Sequence, residues 1–77
     1  MDLKTIVNVG NQEFTVSTVR LHPLVTNLPF ETMIFRSVDG KISNYTDLYC
    51  KRYSSEQDAI QGHLQVSQGL RDGSLKV

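Results

Sequence analysis

The sequence predicts an α+β domain: a mainly antiparallel four-stranded sheet of two hairpins, with one C-terminal helix packed across it. Three observations predict it. Apolar and polar residues alternate with period two through most of the chain before Ser54. Two groups of turn residues, Gly10-Asn11-Gln12 and Val38-Asp39-Gly40-Lys41, each divide a pair of such stretches. After Ser54 the period changes to that of an amphipathic helix.

The first strand runs from Leu3 to Val9, where Leu3, Thr5, Val7 and Val9 alternate with Lys4, Ile6 and Asn8 in a segment rich in β-branched side chains. Gly10 and Asn11 tolerate positive φ, so the chain can reverse there and resume as a second strand from Glu13 to Leu21. Two prolines make His22 to Pro29 a connecting loop, and Leu24, Val25 and Leu28 leave it apolar enough to need cover. Phe30 to Arg36 is the third strand. Tyr45 to Tyr53 is the fourth, with Thr46, Leu48, Cys50 and Arg52 as the less polar set expected to face the helix. Ser54-Ser55-Glu56-Gln57 has the form of a capping box. Beyond it Ala59, Ile60, His63, Leu64, Ser67 and Leu70 form the expected buried stripe, with Gly69 or Gly73 ending the helix. Gly62, mid-helix, costs roughly 0.5–1 kcal/mol relative to Ala unless a neighbour needs the space, so the helix is expected to approach the sheet closely there. The tail from Arg71 is expected to fray or to extend an edge.

At 77 residues the chain has room for a single domain, with a hairpin over 1–21, a second strand pair over 30–53 and the helix over 54–70. Such small cores supply little net stability, and 8 basic residues balance 8 acidic ones, so self-association into a homo-oligomer is expected. The same balance gives no overall field to draw in nucleic acid or an anionic membrane. Cys50 is the only cysteine, which excludes an internal disulfide framework and fits a reducing cytoplasm. The N-terminus lacks a signal-peptide pattern, and no apolar run approaches the length of a membrane span.

Catalytic residue types are few. Cys50, His63 and Glu31 could imitate a thiol-hydrolase triad, but Cys50 reads more simply as a small buried apolar residue and His63 as a packed one. No paired metal-ligand spacing and no phosphate-binding glycine loop occurs, so no cofactor is expected. Arg36, Lys41, Lys51 and Arg52 fall near the ends of the third and fourth strands, and strict alternation puts Tyr45, Tyr49 and Tyr53 on one face. Arg with Tyr can hold a nucleotide, by charge-assisted bonds to phosphate and stacking on the base. Arg36, Tyr49 and Arg52, with Glu31 and His63, are the candidate ligand-binding residues. The same tyrosines also fit a solvated sheet face with cross-strand packing, or a protein interface.

The strand Phe30-Glu31-Thr32-Met33-Ile34-Phe35, followed by the helix start Tyr53-Ser54-Ser55-Glu56-Gln57-Asp58-Ala59-Ile60-Gln61-Gly62-His63, resembles small bacteriophage-encoded proteins of uncharacterised activity. The resemblance covers about half the chain, from Phe30 to roughly Leu70, and carries no activity with it. It implies a phage origin, hence a host cytoplasm, and a docking surface of Ala59, Gly62 and His63 against the third strand with Glu31 near His63. The expected function is a non-enzymatic accessory module that engages a host protein or sequesters a small nucleotide-like ligand. A virion structural or assembly component is the alternative.

Overall fold

The computed structural model describes residues 1–21 and 27–77. Leu24 and Val25, and with them most of the apolar loop expected between the hairpins, lie outside the described residues. Four strands, β1 (Asp2–Val9), β2 (Gln12–Arg20), β3 (Phe30–Val38) and β4 (Lys41–Tyr53), form one antiparallel sheet in the order β1-β2-β3-β4. A single helix, α1 (Glu56–Asp72), packs on one face of it, so the fold is α+β as the alternation predicts.

Both hairpins close through two-residue turns whose chemistry the chain supplies. Val9 pairs with Gln12 across Gly10 and Asn11, with Gly10 at φ 62°. Val38 pairs with Lys41 across Asp39 and Gly40, whose φ values of 52° and 80° match the left-handed pair that such a turn requires. Aspartate reaches this region at lower cost than a branched side chain would.

The register fixes which side chains share the helix-facing side: Thr5 and Val7 from β1, Phe14, Val16 and Thr18 from β2, Thr32 and Ile34 from β3, and Tyr49 and Tyr53 from β4. Val7, Phe14, Val16 and Ile34 meet Val66 and Leu70 of α1 in the main hydrophobic cluster. Each such fully buried aliphatic or aromatic side chain contributes about 1.5–3 kcal/mol relative to exposure.

Ser55 caps α1, its Oγ accepting from the Asp58 amide at 3.1 Å, and Gly73 ends it in the left-handed region at φ 82°. The tail does not fray at once: Leu75 packs against the main cluster, and its amide donates to the Gly69 carbonyl at 3.0 Å. The buried residues of α1 are Ala59, Gly62, His63, Val66, Ser67, Gly69 and Leu70. Ile60 and Leu64, expected in the stripe, are 40% and 63% exposed. The helix turns its smallest residues inward because it lies close to the sheet. A Cβ built on Gly62 would land on the Tyr53 hydroxyl and ring.

The fourth strand departs most from simple alternation. Ile34 pairs with Tyr49 and Arg36 with Asn44, so the single β3 residue Phe35 faces four β4 residues, Tyr45 to Leu48. A second irregularity leaves Ser43 extra between Asn44 and Ile42. β4 has 13 residues against 9 in β3, and these bulges absorb the difference. Two expectations fail, the first because of the bulges and the second because Tyr49 and Tyr53, not Cys50 and Arg52, oppose Ile34 and Phe30 in the regular part of the ladder. Tyr45 rests against Phe35 on the side away from the helix, with ring centroids 5.7 Å apart, while Tyr49 and Tyr53 stay on the helix side. Cys50 and Arg52 pair with Met33 and Glu31 and face away from the helix, and Cys50 is exposed rather than buried.

Gly62→Ala should destabilise the fold by about 1–3 kcal/mol through overpacking. Urea denaturation should show a lower midpoint, and adding Tyr53→Ala should recover part of the loss.

Candidate functional site

Side chains on the outer face of the sheet, with no helix over them, are nonetheless buried. Thr15 and Phe35 are 2% and 8% exposed, and Ser37 is 4% exposed. Their cover is the β3–β4 hairpin, which the bulges bend back over the face. Glu13 ties it down. Its Oε2 accepts from Ser37 Oγ at 2.6 Å and from the Gly40 amide at 2.9 Å, and Ser37 Oγ in turn accepts from Thr15 Oγ1 at 2.9 Å. The Ser37 and Gly40 bonds hold the Glu13 carboxyl below its ordinary pKa.

Between the bent hairpin and β1 lies an open cleft of about 390 Å³. Lys4 and Ile6 come from β1, Thr15 from the floor, and Lys41, Ile42 and Tyr45 from the hairpin, with Gly40 at its rim. Two lysines line it and no acidic residue does. Glu13, the acid that reaches Gly40, is occupied by its own hydrogen bonds. Tyr45 is 76% exposed, so most of its ring is free for a flat partner. The arrangement can hold an anionic group by the lysines and stack an aromatic one on Tyr45.

The five residues named from sequence do not meet in one site. Arg52 donates through Nε to Glu31 Oε2 at 3.0 Å on the outer face, where Glu31 also accepts from Cys50 Sγ at 3.5 Å. Partial desolvation beneath its neighbours, then the Glu31 charge, push the Cys50 thiol above its ordinary pKa, away from the thiolate form that a nucleophile needs. Arg36 stands five residues along β3 from Glu31, about 17 Å at strand spacing, too far to share one phosphate with Arg52. Tyr49 lies on the helix side.

His63 is also on the helix side, so it is not beside Glu31; α1 packs on β3 as well as on β1 and β2, and the His63 ring itself bonds to β1 and β2. Its Nε2 is 2.8 Å from Thr5 Oγ1 and its Nδ1 is 2.7 Å from Thr18 Oγ1, which is 2.6 Å from Thr32 Oγ1. The sheet therefore separates His63 from both Cys50 and Glu31, and the triad cannot assemble. A neutral imidazole has one N–H and one lone pair, so one threonine accepts from the ring and the other donates to it. Burial lowers the pKa of His63 below 6.5.

Sequence reasoning missed Lys4, Ile6 and Tyr45 as members of one site. Lys41 and Tyr45 were visible as a cation and an aromatic, but only the bulges bring them opposite β1. Among the described residues no group of three or more His, Cys, Asp or Glu side chains could hold a metal ion, and no helix is long and apolar enough to cross a membrane. No known protein family, curated protein or solved structure matches the chain.

The lowered pKa of His63 makes stability depend on pH. The unfolded chain takes up this proton near 6.5 and the folded one only at lower pH, so the contribution is complete above 6.5 and is lost as pH falls through the folded value. Denaturant midpoints followed from neutral to acidic pH should fall in the wild type, and a His63→Gln variant should lose that component while being less stable at neutral pH.

Proposed function

We propose that this protein is a non-enzymatic binding module that sequesters a small nucleotide-like anion beneath the β3–β4 hairpin. The observation that carries the reading is the cleft itself: two lysines, no lining carboxylate and an exposed tyrosine ring within about 390 Å³. That volume falls within the range of small-molecule sites, roughly 300–1,000 Å³. Stacking of a base on one aromatic ring is worth about 1–3 kcal/mol, and each partly exposed ammonium near a phosphate adds about 1 kcal/mol. These magnitudes suit capture and release of a metabolite.

The reading as a binder rather than a catalyst is supported by the same lining. Thr15, the cleft's one hydroxyl outside Tyr45, donates to Ser37 and has no base beside it. The phage-like strand and helix start support an accessory protein acting in a host cell, where holding a nucleotide would withdraw a signal or a substrate.

Isothermal titration with nucleoside mono-, di- and triphosphates tests this. Binding should weaken about tenfold or more in a Lys4→Gln, Lys41→Gln double variant and in Tyr45→Ala, and should be unchanged in Arg36→Gln. Absence of heat and of thermal stabilisation with every nucleotide, or binding indifferent to Lys4, Lys41 and Tyr45, would overturn it.

A further inference from the structure

The two edges of the sheet are built differently. β4 is interrupted by its bulges, and its regular segment from Tyr49 to Tyr53 is centred on Lys51, which would meet its own copy in a symmetric antiparallel pair. β1 has no bulge, no proline and an unbroken register with β2 from Asp2 to Val9. Among the described residues its other side pairs with no strand.

In a hairpin closed by two residues, Val9 and Gln12 form a hydrogen-bonded pair, so Val9, Val7, Thr5 and Leu3 direct their backbone groups to β2. The amides and carbonyls of Asp2, Lys4, Ile6 and Asn8 therefore point outward. We infer that β1 is the pairing surface for a second copy of this chain, which joins it antiparallel about a two-fold axis at Thr5.

In that register Asp2 lies opposite the partner's Asn8 and Lys4 opposite the partner's Ile6, so roughly eight outward backbone groups on each strand find complementary ones. Thr5 meets its own copy in a non-hydrogen-bonded position, where side chains lie closest and threonine pairs are favourable. Leu3 faces the partner's Val7, and Met1 faces the partner's Val9. Met1 and Val9 are 36% and 39% exposed in the single chain, and the pairing covers both. No two like charges stand directly opposite, and the chain's zero net charge raises no long-range barrier.

The helix adds to the same side. His63 bonds Thr5, so the flank of α1 bearing His63 lies over β1. Ile60, one turn earlier, and Leu64, one turn after Ile60, fall on or next to that flank, and both are exposed. The opposite flank, with Gly62 and Gly69, borders β4. Pairing through β1 sets the Ile60 and Leu64 shoulders of two helices above the joined sheet. It also brings the partner's Lys4 beside Ile6, which lines the cleft.

Light scattering and native mass spectrometry of the ligand-free protein test the inference independently of any nucleotide. The wild type should be a dimer at micromolar concentration. Ile6→Lys, which sets two lysines opposite each other, should raise the dimer dissociation constant about tenfold or more. Adding Lys4→Glu should restore it, because each new carboxylate then faces a new ammonium. Circular dichroism should be the same for all three proteins. A monomeric wild type, or a dimer that ignores Ile6→Lys, would overturn the proposal. So would failure of the double variant to recover while remaining folded.

Discussion

The rest of the outer face depends on one constraint, the mismatch between 9 residues of β3 and 13 of β4. A regular antiparallel ladder has no place for the surplus, so it leaves the ladder as bulges and raises the local bend. Bending carries the Asp39-Gly40 turn far enough for the Gly40 amide to reach Glu13 on β2. From that follow the burial of Thr15, Phe35 and Ser37 without a covering helix, the reversal of Tyr45, and the cleft between hairpin and β1. A straight β4 would leave the outer face flat and open.

The helix side is organised by a different compromise. A helix that approaches closely enough to put Gly62 against Tyr53 has little room for large apolar residues along its contact line. Thr5, Thr18, Thr32, His63 and Ser67 occupy much of the interface instead, and every such group is costly unless bonded. Here each is satisfied: Ser67 donates to the His63 carbonyl at 2.8 Å, and among the described residues no buried side-chain nitrogen or oxygen lacks a partner. The imidazole ties α1 to β1 and β2 at once, replacing some nonspecific apolar contact with a directional one that fixes how the helix lies across the strands.

This division explains what the sequence revealed. Turns, strand types and the Ser55 cap are set within a few residues by backbone chemistry, and Gly10, the Asp39-Gly40 pair and Ser55 announced them. Gly62 likewise announced a close approach, because glycine inside a helix needs a reason. Facing was harder. Alternation assumes an uninterrupted ladder, and nothing local in Tyr45-Thr46-Asp47-Leu48 marks four residues opposite one. The helix stripe held at Ala59, His63, Ser67 and Leu70 and missed at two positions: Ile60 and Leu64 are the more apolar choice, but close spacing decided in favour of Gly62, Val66 and Gly69. The proposed ligand site depends on the first of these long-range features, the bulges, so neither its cations nor its aromatic could be grouped by position in the chain.

Net charge was the least informative quantity. Eight positive and eight negative side chains cancel in the sum, yet charges separated by more than the roughly 8–10 Å screening length hardly sense one another in salt. Local placement decides what a ligand meets. Glu31 is spent on Arg52, Glu13 on Ser37 and Gly40, and Glu56 and Asp58 sit at the start of α1, where the helix dipole favours them. These four acids are thus committed to holding the fold, while Lys4 and Lys41 both line the cleft between the bent hairpin and β1. Under the proposed function, a chain of zero net charge can in this way keep a short-range preference for an anion that reaches both lysines.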